Sequence, residues 1–171
     1  MLVYIRHSKD RHDKEDHLQD PKLTYEGKLM AKEKGDKLID KYGVPDIVYC
    51  SPFLRTRQTL KYLLKNTPDR KKKNIRIIYD SRASRHFSKE ERENIDVARS
   101  TMKRAIPIFE TSEDVNERLY SLMGELNILA QQGQVIWCIT HTSVYKKLAY
   151  FYQANLPSRI PFLHNFRLRQ M

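Results

Sequence analysis

The chain is poor in the residues that mark disulfide-stabilised, fibrous or membrane-spanning proteins. Its 171 residues include only two cysteines, five glycines and one tryptophan. Cys50 and Cys138 lie inside apolar, strand-like runs, so we expect reduced, buried thiols rather than a disulfide framework. No apolar run approaches the roughly 18 residues that a spanning helix needs, and the charge at Arg6 leaves no room for a signal peptide. These absences favour a cytoplasmic protein that does not enter a membrane.

Acidic residues are absent from the stretch 126–171, and the whole chain carries a net charge of +11. A second basic cluster spans Asp69–Asn74. Such a balance favours polyanionic partners, although a basic solvated surface explains it equally well. No nucleic-acid motif accompanies the charge, so a phosphorylated small molecule or phosphoprotein is favoured over nucleic acid. We expect Lys71, Lys72, Lys73 and the acid-free stretch to steer anions toward a binding site.

Strand-like and helix-like segments alternate along the chain. The predicted strands are Leu2–Ile5, Ile47–Cys50, Ile75–Tyr79 and Val135–Thr140. The predicted helices run from the N-cap Thr24 to Tyr42, from the N-cap Ser51 onward, and over 89–106, 112–131 and 143–153. This order predicts an α/β fold with three α/β/α layers and a mainly parallel sheet. We expect one domain over 1–171, with 81–110 forming a small cap or side wall.

Cationic side chains follow three of the predicted strands. In parallel sheets ligands bind at the carboxyl ends of the strands, and the residues found there are Arg6 and His7 after the first strand, Arg55 after the second, and His141 after the fourth. Helix N-termini after the second and fourth strands add backbone N–H donors. A guanidinium group offers a planar fork to two oxygens. The pattern therefore predicts a pocket for a tetrahedral oxyanion that needs no metal.

A histidine in such a pocket has chemistry beyond binding. Neutral imidazole is a nucleophile near pH 7 and forms a covalent intermediate with a phosphoryl group. The surrounding cations would stabilise the charge on the transferring group. A histidine after a strand is nevertheless more often structural, so the residues alone leave both interpretations open.

Five sequence blocks resemble, in order, the motifs of the histidine phosphatase superfamily, the phosphoglycerate mutase-like group. They are Tyr4-Ile5-Arg6-His7-Ser8, Leu23-Thr24-Tyr25-Glu26-Gly27-Lys28-Leu29-Met30-Ala31, Ser51-Pro52-Phe53-Leu54-Arg55-Thr56-Arg57-Gln58-Thr59, Glu110-Thr111-Ser112 with Arg118, and Thr140-His141-Thr142. By this resemblance His7 is the phosphorylated nucleophile, and Arg6, Arg55 and His141 clamp the phosphoryl group. Ser8 and Thr142 replace the usual glycines beside the substrate. The resemblance implies the phosphoglycerate mutase-like fold and no cofactor.

The acid–base residue is the weakest part of the resemblance. The family usually has a Glu just after the third strand, where this chain has Asp80. In a second register, Ser84-Arg85-His86-Phe87 resembles the mutases' Glu-Arg-His-Tyr, and a Ser replaces the Glu. Some small family members that act on phosphohistidine manage without this acid, because imidazole is a good leaving group. Asp80 is our first candidate, and the acid-free alternative stays open.

The leading hypothesis is a phosphatase that hydrolyses a phosphate monoester or phosphoramidate through a phosphohistidine. Mutase-type phosphotransfer is less favoured, because the chain is shorter than a typical mutase and has Lys9 where the family usually has Glu. The alternative from another class is a weak or inactive phosphate-binding module for a phosphorylated protein or nucleic acid. Phosphate release from an aryl phosphate separates the two classes.

Overall fold

The computed structural model describes residues 1–11, 20–85 and 110–168. The strands are β1 (Leu2–Arg6), β2 (Ile47–Cys50), β3 (Arg76–Tyr79), β4 (Ile136–Thr140) and β5 (Asn165–Leu168). The described helices are α1 (Tyr25–Tyr42), α2 (Leu54–Leu63), α3 (Asp69–Lys72), α4 (Ser112–Gln131) and α5 (Thr142–Phe151), and Ser81–Ala83 forms a 3₁₀ turn. The sheet order is β3-β2-β4-β1-β5. All neighbours are parallel except β1 and β5.

Each face of the sheet is covered by helices. Successive strand residues point to opposite faces, so Tyr4 and Cys138 pack with the buried residues of α4 and α5. Val3 and Trp137 point the other way, into a second cluster with residues of α1 and α2. The predicted three-layer α/β/α architecture with a mainly parallel sheet is confirmed.

The first helix has the predicted boundaries. The Thr24 hydroxyl accepts a hydrogen bond from the Gly27 N–H, which caps the start of α1. The helix ends at Tyr42, and the C-cap Gly43 that follows has a φ of +84°, a left-handed conformation that glycine adopts without strain. Local sequence signals decide both ends of this helix.

The second helix begins later than predicted. It starts at Leu54 rather than directly after Ser51, and the cap comes from the distant Asp20, whose carboxylate accepts the Leu54 N–H. Ser51 is not the N-cap, because its hydroxyl bonds to His141 instead. The prediction failed because the Ser51 hydroxyl bonds to the distant His141 and does not cap the helix.

The last strand was not predicted. Strand β5 runs antiparallel to β1 at the sheet edge, with Phe166 opposite Tyr4. Its four residues alternate only weakly, since Phe166 is buried but Asn165 and Leu168 are half-buried. The predicted helix over 89–106 lies outside the described residues, as does most of the segment 81–110. No helix in the described ranges is long and apolar enough to cross a membrane.

Candidate active site

The carboxyl edge of the sheet brings the predicted cationic residues together. Arg6 lies opposite Thr140 in the parallel β1–β4 pair, so His7 and His141 follow neighbouring strands, and their ring centroids are 5.5 Å apart. A cavity of about 400 Å³ opens here. It is lined by Arg6, His7, Asp10, Pro21, Arg55, Arg85, His141, Thr142, Ser143 and Lys146.

His7 is buried and held in one orientation. Its Nδ1 lies 2.8 Å from the Ser8 carbonyl oxygen. A carbonyl oxygen only accepts, so Nδ1 donates and carries the ring proton. In the neutral ring the lone pair is therefore on Nε2, the nitrogen available for attack on phosphorus.

Three other motif residues fix the loop that carries His7. The Ser8 N–H donates to the Thr59 hydroxyl at 3.0 Å, and the Ser8 hydroxyl donates to the Gly27 carbonyl oxygen at 2.6 Å. A Cβ on Gly27 would lie 2.0 Å from the Lys9 carbonyl oxygen, so only glycine allows this approach of α1. Ser8 thus supports the loop and does not line the cavity, whereas Thr142 does.

His141 is held by two hydrogen bonds that define its tautomer. Arg55 Nε donates to His141 Nδ1 at 3.2 Å, and His141 Nε2 lies 2.8 Å from the Ser51 hydroxyl. Nδ1 is therefore the acceptor and Nε2 carries the proton. Burial, followed by the nearby positive charge of Arg55, holds the pKa of His141 well below its usual value. His141 is neutral in the unliganded protein.

Arg55 lies between two carboxylates. Its Nε is 3.7 Å from Asp10 Oδ2 and its Nη1 is 3.6 Å from Asp20 Oδ1. Burial lowers the pKa of Arg55, and the two carboxylates oppose that shift. Burial also raises the pKa of Asp20, which the hydrogen bond from Leu54 opposes. The positive charge of Arg55 is thus compensated by two carboxylates within the cavity region.

Arg6 is positioned by the segment before β5. Its guanidinium donates to the Ile160 carbonyl oxygen and stands 4.4 Å from the centre of the Phe162 ring. Burial lowers the pKa of Arg6, and the charge of Asp10 opposes that shift. Within the described chain Arg6 Nε is buried and has no hydrogen-bond partner.

Asp80, the first candidate for the acid–base role, is not among the cavity-lining residues. Its carboxylate accepts hydrogen bonds from the backbone and the guanidinium of Arg82, which also contacts Glu125. Arg82 is only two residues away, and this local ion pair holds the Asp80 side chain. In the structure the Asp80 carboxylate therefore caps the 3₁₀ turn and does not line the cavity.

Ser84, the residue of the second register, lies closer to the site. Its hydroxyl is 3.3 Å from that of Ser51, which contacts His141. The turn is held by Arg118, which forks onto Glu110 and donates to the Ser84 carbonyl oxygen at 3.1 Å. The Glu110 and Arg118 block thus supports the wall of the site.

The sequence model of the histidine phosphatase superfamily, branch 1, matches residues 2–164. The chain belongs to this superfamily. No curated protein is significantly similar to it in sequence.

Solved structures of similar fold include YhfR and two proteins that are named as phosphatases. YhfR of Bacillus stearothermophilus is 20% identical with a TM-score of 0.62, covering 94% of this chain and 85% of its own. The protein histidine phosphatase SixA complexed with tungstate is 16% identical, with a TM-score of 0.54 and coverage of 94% and 79%. A mycobacterial glucosyl-3-phosphoglycerate phosphatase is 20% identical, with a TM-score of 0.59 and coverage of 91% and 80%. At these identities the likeness shows the shared superfamily fold.

Sequence reasoning missed three charged residues of the cavity. Asp10 is three residues after His7, and a backbone bridge to Leu23 folds its loop back toward the sheet. Arg85 follows Ser84, and Lys146 lies one helical turn after Thr142. The helical spacing was a usable signal for Lys146, whereas nothing in the local sequence marks Asp10.

The basic cluster of α3 does not lie beside the cavity. Helix α3 comes directly before the amino end of β3, so Lys71, Lys72 and Lys73 lie toward the sheet edge opposite the cavity. The cavity draws its positive charge from other residues instead. In the part of the chain that the structure describes, no group of three or more His, Cys, Asp or Glu side chains could hold a metal ion.

Proposed function

We propose that the chain is a phosphatase that hydrolyses phosphate monoesters or phosphoramidates through a covalent phosphate on His7. The observation that carries this proposal is the buried His7 ring, whose Nδ1 is bonded to the Ser8 carbonyl oxygen, in a cavity that Arg6, Arg55 and His141 also line. An imidazole fixed in this tautomer is a nucleophile through Nε2.

The cavity stabilises charge on the transferring phosphoryl group. Arg6 and Arg55 offer guanidinium forks to its oxygens, and Thr142 and Ser143 stand at the N-terminus of α5, where free backbone N–H groups favour anions. The arriving anion also favours the protonated form of His141, whose positive charge then offsets part of the phosphoryl charge. With these groups in place, the proposed reaction needs no metal.

The surroundings of Ser84 extend the proposal to phosphoramidates. A serine hydroxyl stands in the register where the family usually has an acid, and Asp80 is engaged by Arg82. A phosphorylated nitrogen leaves readily and makes a smaller demand on a proton donor. The similar structure of SixA carries the name protein histidine phosphatase, which supports phosphohistidine as a substrate to test.

Phosphate release from phenyl phosphate and from phosphohistidine tests the proposal. The wild-type protein should turn over at least one of them, with and without excess EDTA, and His7→Ala should lose turnover on both. His164→Gln is the matched control, because His164 bonds to Tyr145 and does not line the cavity. A wild type that binds phosphate without hydrolysing either substrate would instead support the phosphate-binding module.

A further inference from the structure

Ester hydrolysis through a phosphohistidine needs a proton at two points. The departing alkoxide must receive one, and the water that attacks the phosphohistidine must give one up. Asp80 is bonded to Arg82 and lies outside the set of cavity-lining residues. Ser84 has only a hydroxyl, which is a poor acid and a poor base near pH 7. Neither register of the family motif supplies the proton.

A different carboxylate reaches the cavity. Among the cavity-lining residues that the structure describes, Asp10 is the one carboxylic acid. Its side chain is 3% exposed, and Oδ2 lies 3.7 Å from Arg55 Nε. The loop is fixed behind it, because the Thr24 N–H donates to the Lys9 carbonyl oxygen at 3.0 Å and the Arg11 N–H donates to Lys22 at 3.0 Å.

The charges around Asp10 change when a substrate binds. In the unliganded site Asp10 interacts with Arg55 and with Arg6. The other charged or titratable groups of the cavity are His7, His141, Arg85 and Lys146, and Asp20 lies on another side of Arg55. A bound phosphoryl dianion would pair with the guanidinium groups of Arg6 and Arg55, which would weaken their interactions with Asp10. It would also add negative charge beside Asp10. Like charges disfavour the ionised carboxyl, so substrate binding favours a proton on Asp10.

We propose that Asp10 is the acid–base residue of the reaction; this rests on the phosphatase function proposed above. In the first step His7 Nε2 forms a bond to phosphorus, the P–O bond to the leaving group breaks, and the Asp10 proton passes to that oxygen to give an alcohol. In the second step Asp10 takes a proton from water as the water oxygen bonds to phosphorus. The P–N bond breaks, which releases inorganic phosphate and restores His7 and the protonated Asp10.

The test compares Asp10→Asn with wild type over a series of aryl and alkyl phosphates that differ in the acidity of the leaving alcohol. Loss of the proton donor should cost about 10²-fold or more on alkyl phosphates and much less on 4-nitrophenyl phosphate. The dependence of kcat/KM on leaving-group acidity should therefore steepen. Asp10→Ser keeps an acceptor for Arg55 but no acidic proton, and should give the same steep slope.

Asp80→Asn is the matched control. It should keep the wild-type dependence of kcat/KM on leaving-group acidity, even if it lowers the stability of the protein. Tungstate affinity separates chemistry from positioning, because removing a negative charge from the cavity should leave affinity equal or raise it in Asp10→Asn. An equal loss of rate on every substrate with weaker tungstate binding would mean that Asp10 only orients Arg55, and would overturn the inference. If wild type hydrolyses no substrate, the phosphatase proposal fails and this one fails with it. Wild-type activity with an unchanged slope in Asp10→Asn overturns this inference alone.

Discussion

Arg55 is one of the residues of the proposed phosphoryl clamp. Its guanidinium lies between Asp10 and Asp20 and donates a hydrogen bond to His141. These interactions use several N–H groups of the planar guanidinium. Arg55→Lys keeps the charge but loses this fork. We expect a loss of about 2–4 kcal/mol of transition-state stabilisation, which is a fall in kcat/KM of about 30-fold to 10³-fold.

The control for this variant lies on the same helix. Arg57 is exposed and stands over the Tyr79 ring rather than in the cavity. Arg57→Lys should therefore keep a rate within about twofold of wild type. Equal rates for both variants on a phosphate monoester would show that Arg55 does not contact the phosphoryl group.

His141 makes a second residue-scale prediction, on stability. Its pKa is lowered in the folded protein, chiefly by burial and then by Arg55, while in the unfolded chain it takes up a proton near pH 6.5. Below that pH the unfolded state binds one more proton, so the His141 contribution to the free energy of unfolding falls on acidification, by up to about 1.4 kcal/mol per pH unit.

Urea unfolding between about pH 7.5 and pH 5 measures this effect. His141→Gln lacks the titrating ring, so its stability should fall less steeply than that of wild type over the same range. The pKa of His164 is also lowered, but His164 is present in both proteins. Its contribution to the pH dependence of stability therefore cancels in the comparison. Parallel curves for the two proteins would contradict a neutral, buried His141.

The sequence predicted that Arg6, His7, Arg55 and His141 would meet at one site, but it did not predict the carboxylate that lines the same cavity. Arg6, Arg55 and His141 directly follow or flank strand ends, where parallel topology alone brings side chains together. Asp80 also follows a strand, yet Arg82 two residues away draws its carboxylate into a local ion pair. Asp10 reaches the cavity because its loop folds back and pairs with Leu23. The sequence near Asp10 contains no pattern that predicts this contact.

At the scale of elements, the packing of α1 against the His7 loop depends on one glycine. A Cβ on Gly27 would meet the Lys9 carbonyl oxygen at 2.0 Å, so Gly27→Ala must push apart the helix and the loop. We expect lower stability and a disproportionate loss of kcat, because Gly27 also accepts the Ser8 hydroxyl bond.

Gly124 provides the matched control. It lies within α4 with open space around its Cβ position, so Gly124→Ala should raise stability by about 0.5–1 kcal/mol. Thermal unfolding and steady-state rates of both variants check the pair. Equal stability changes in the same direction would refute the close approach at Gly27.

Element boundaries were predictable where the signals are local. Thr24 and Gly43 define α1 from either end. The start of α2 was not predictable, because the capping carboxylate comes from Asp20, 34 residues earlier in the chain. Strand β5 was missed because four weakly alternating residues carry too little pattern to distinguish an edge strand from a loop.

At the scale of the whole molecule, we expect the net charge of +11 to act on substrate capture mainly through the charges around the cavity. Lys146 lines the cavity, whereas Lys71 and Lys73 lie toward the opposite sheet edge. Lys146→Gln should lower kcat/KM about threefold or more at low ionic strength and reduce its decline with salt. The Lys71→Gln/Lys73→Gln double variant is the control, because it removes two positive charges whereas Lys146→Gln removes one.

Substrate capture by the double variant separates local from global electrostatics. Its kcat/KM and salt dependence should match those of wild type within about twofold, because screening removes the influence of distant charges. If the double variant lowers kcat/KM more than Lys146→Gln does, the overall charge of the protein governs substrate capture, and the charges that line the cavity do not.

The proposed reaction passes through a covalent phosphate on Nε2 of His7. Wild-type protein mixed with a ³²P-labelled aryl phosphate and quenched in alkali should carry up to one phosphate per chain. That phosphate should be stable in alkali and labile in acid, and peptide mapping should locate it on the peptide that contains His7. His7→Ala should carry none and should not turn over. Label on another residue, or turnover of the His7→Ala variant above a few per cent of wild type, would contradict the account.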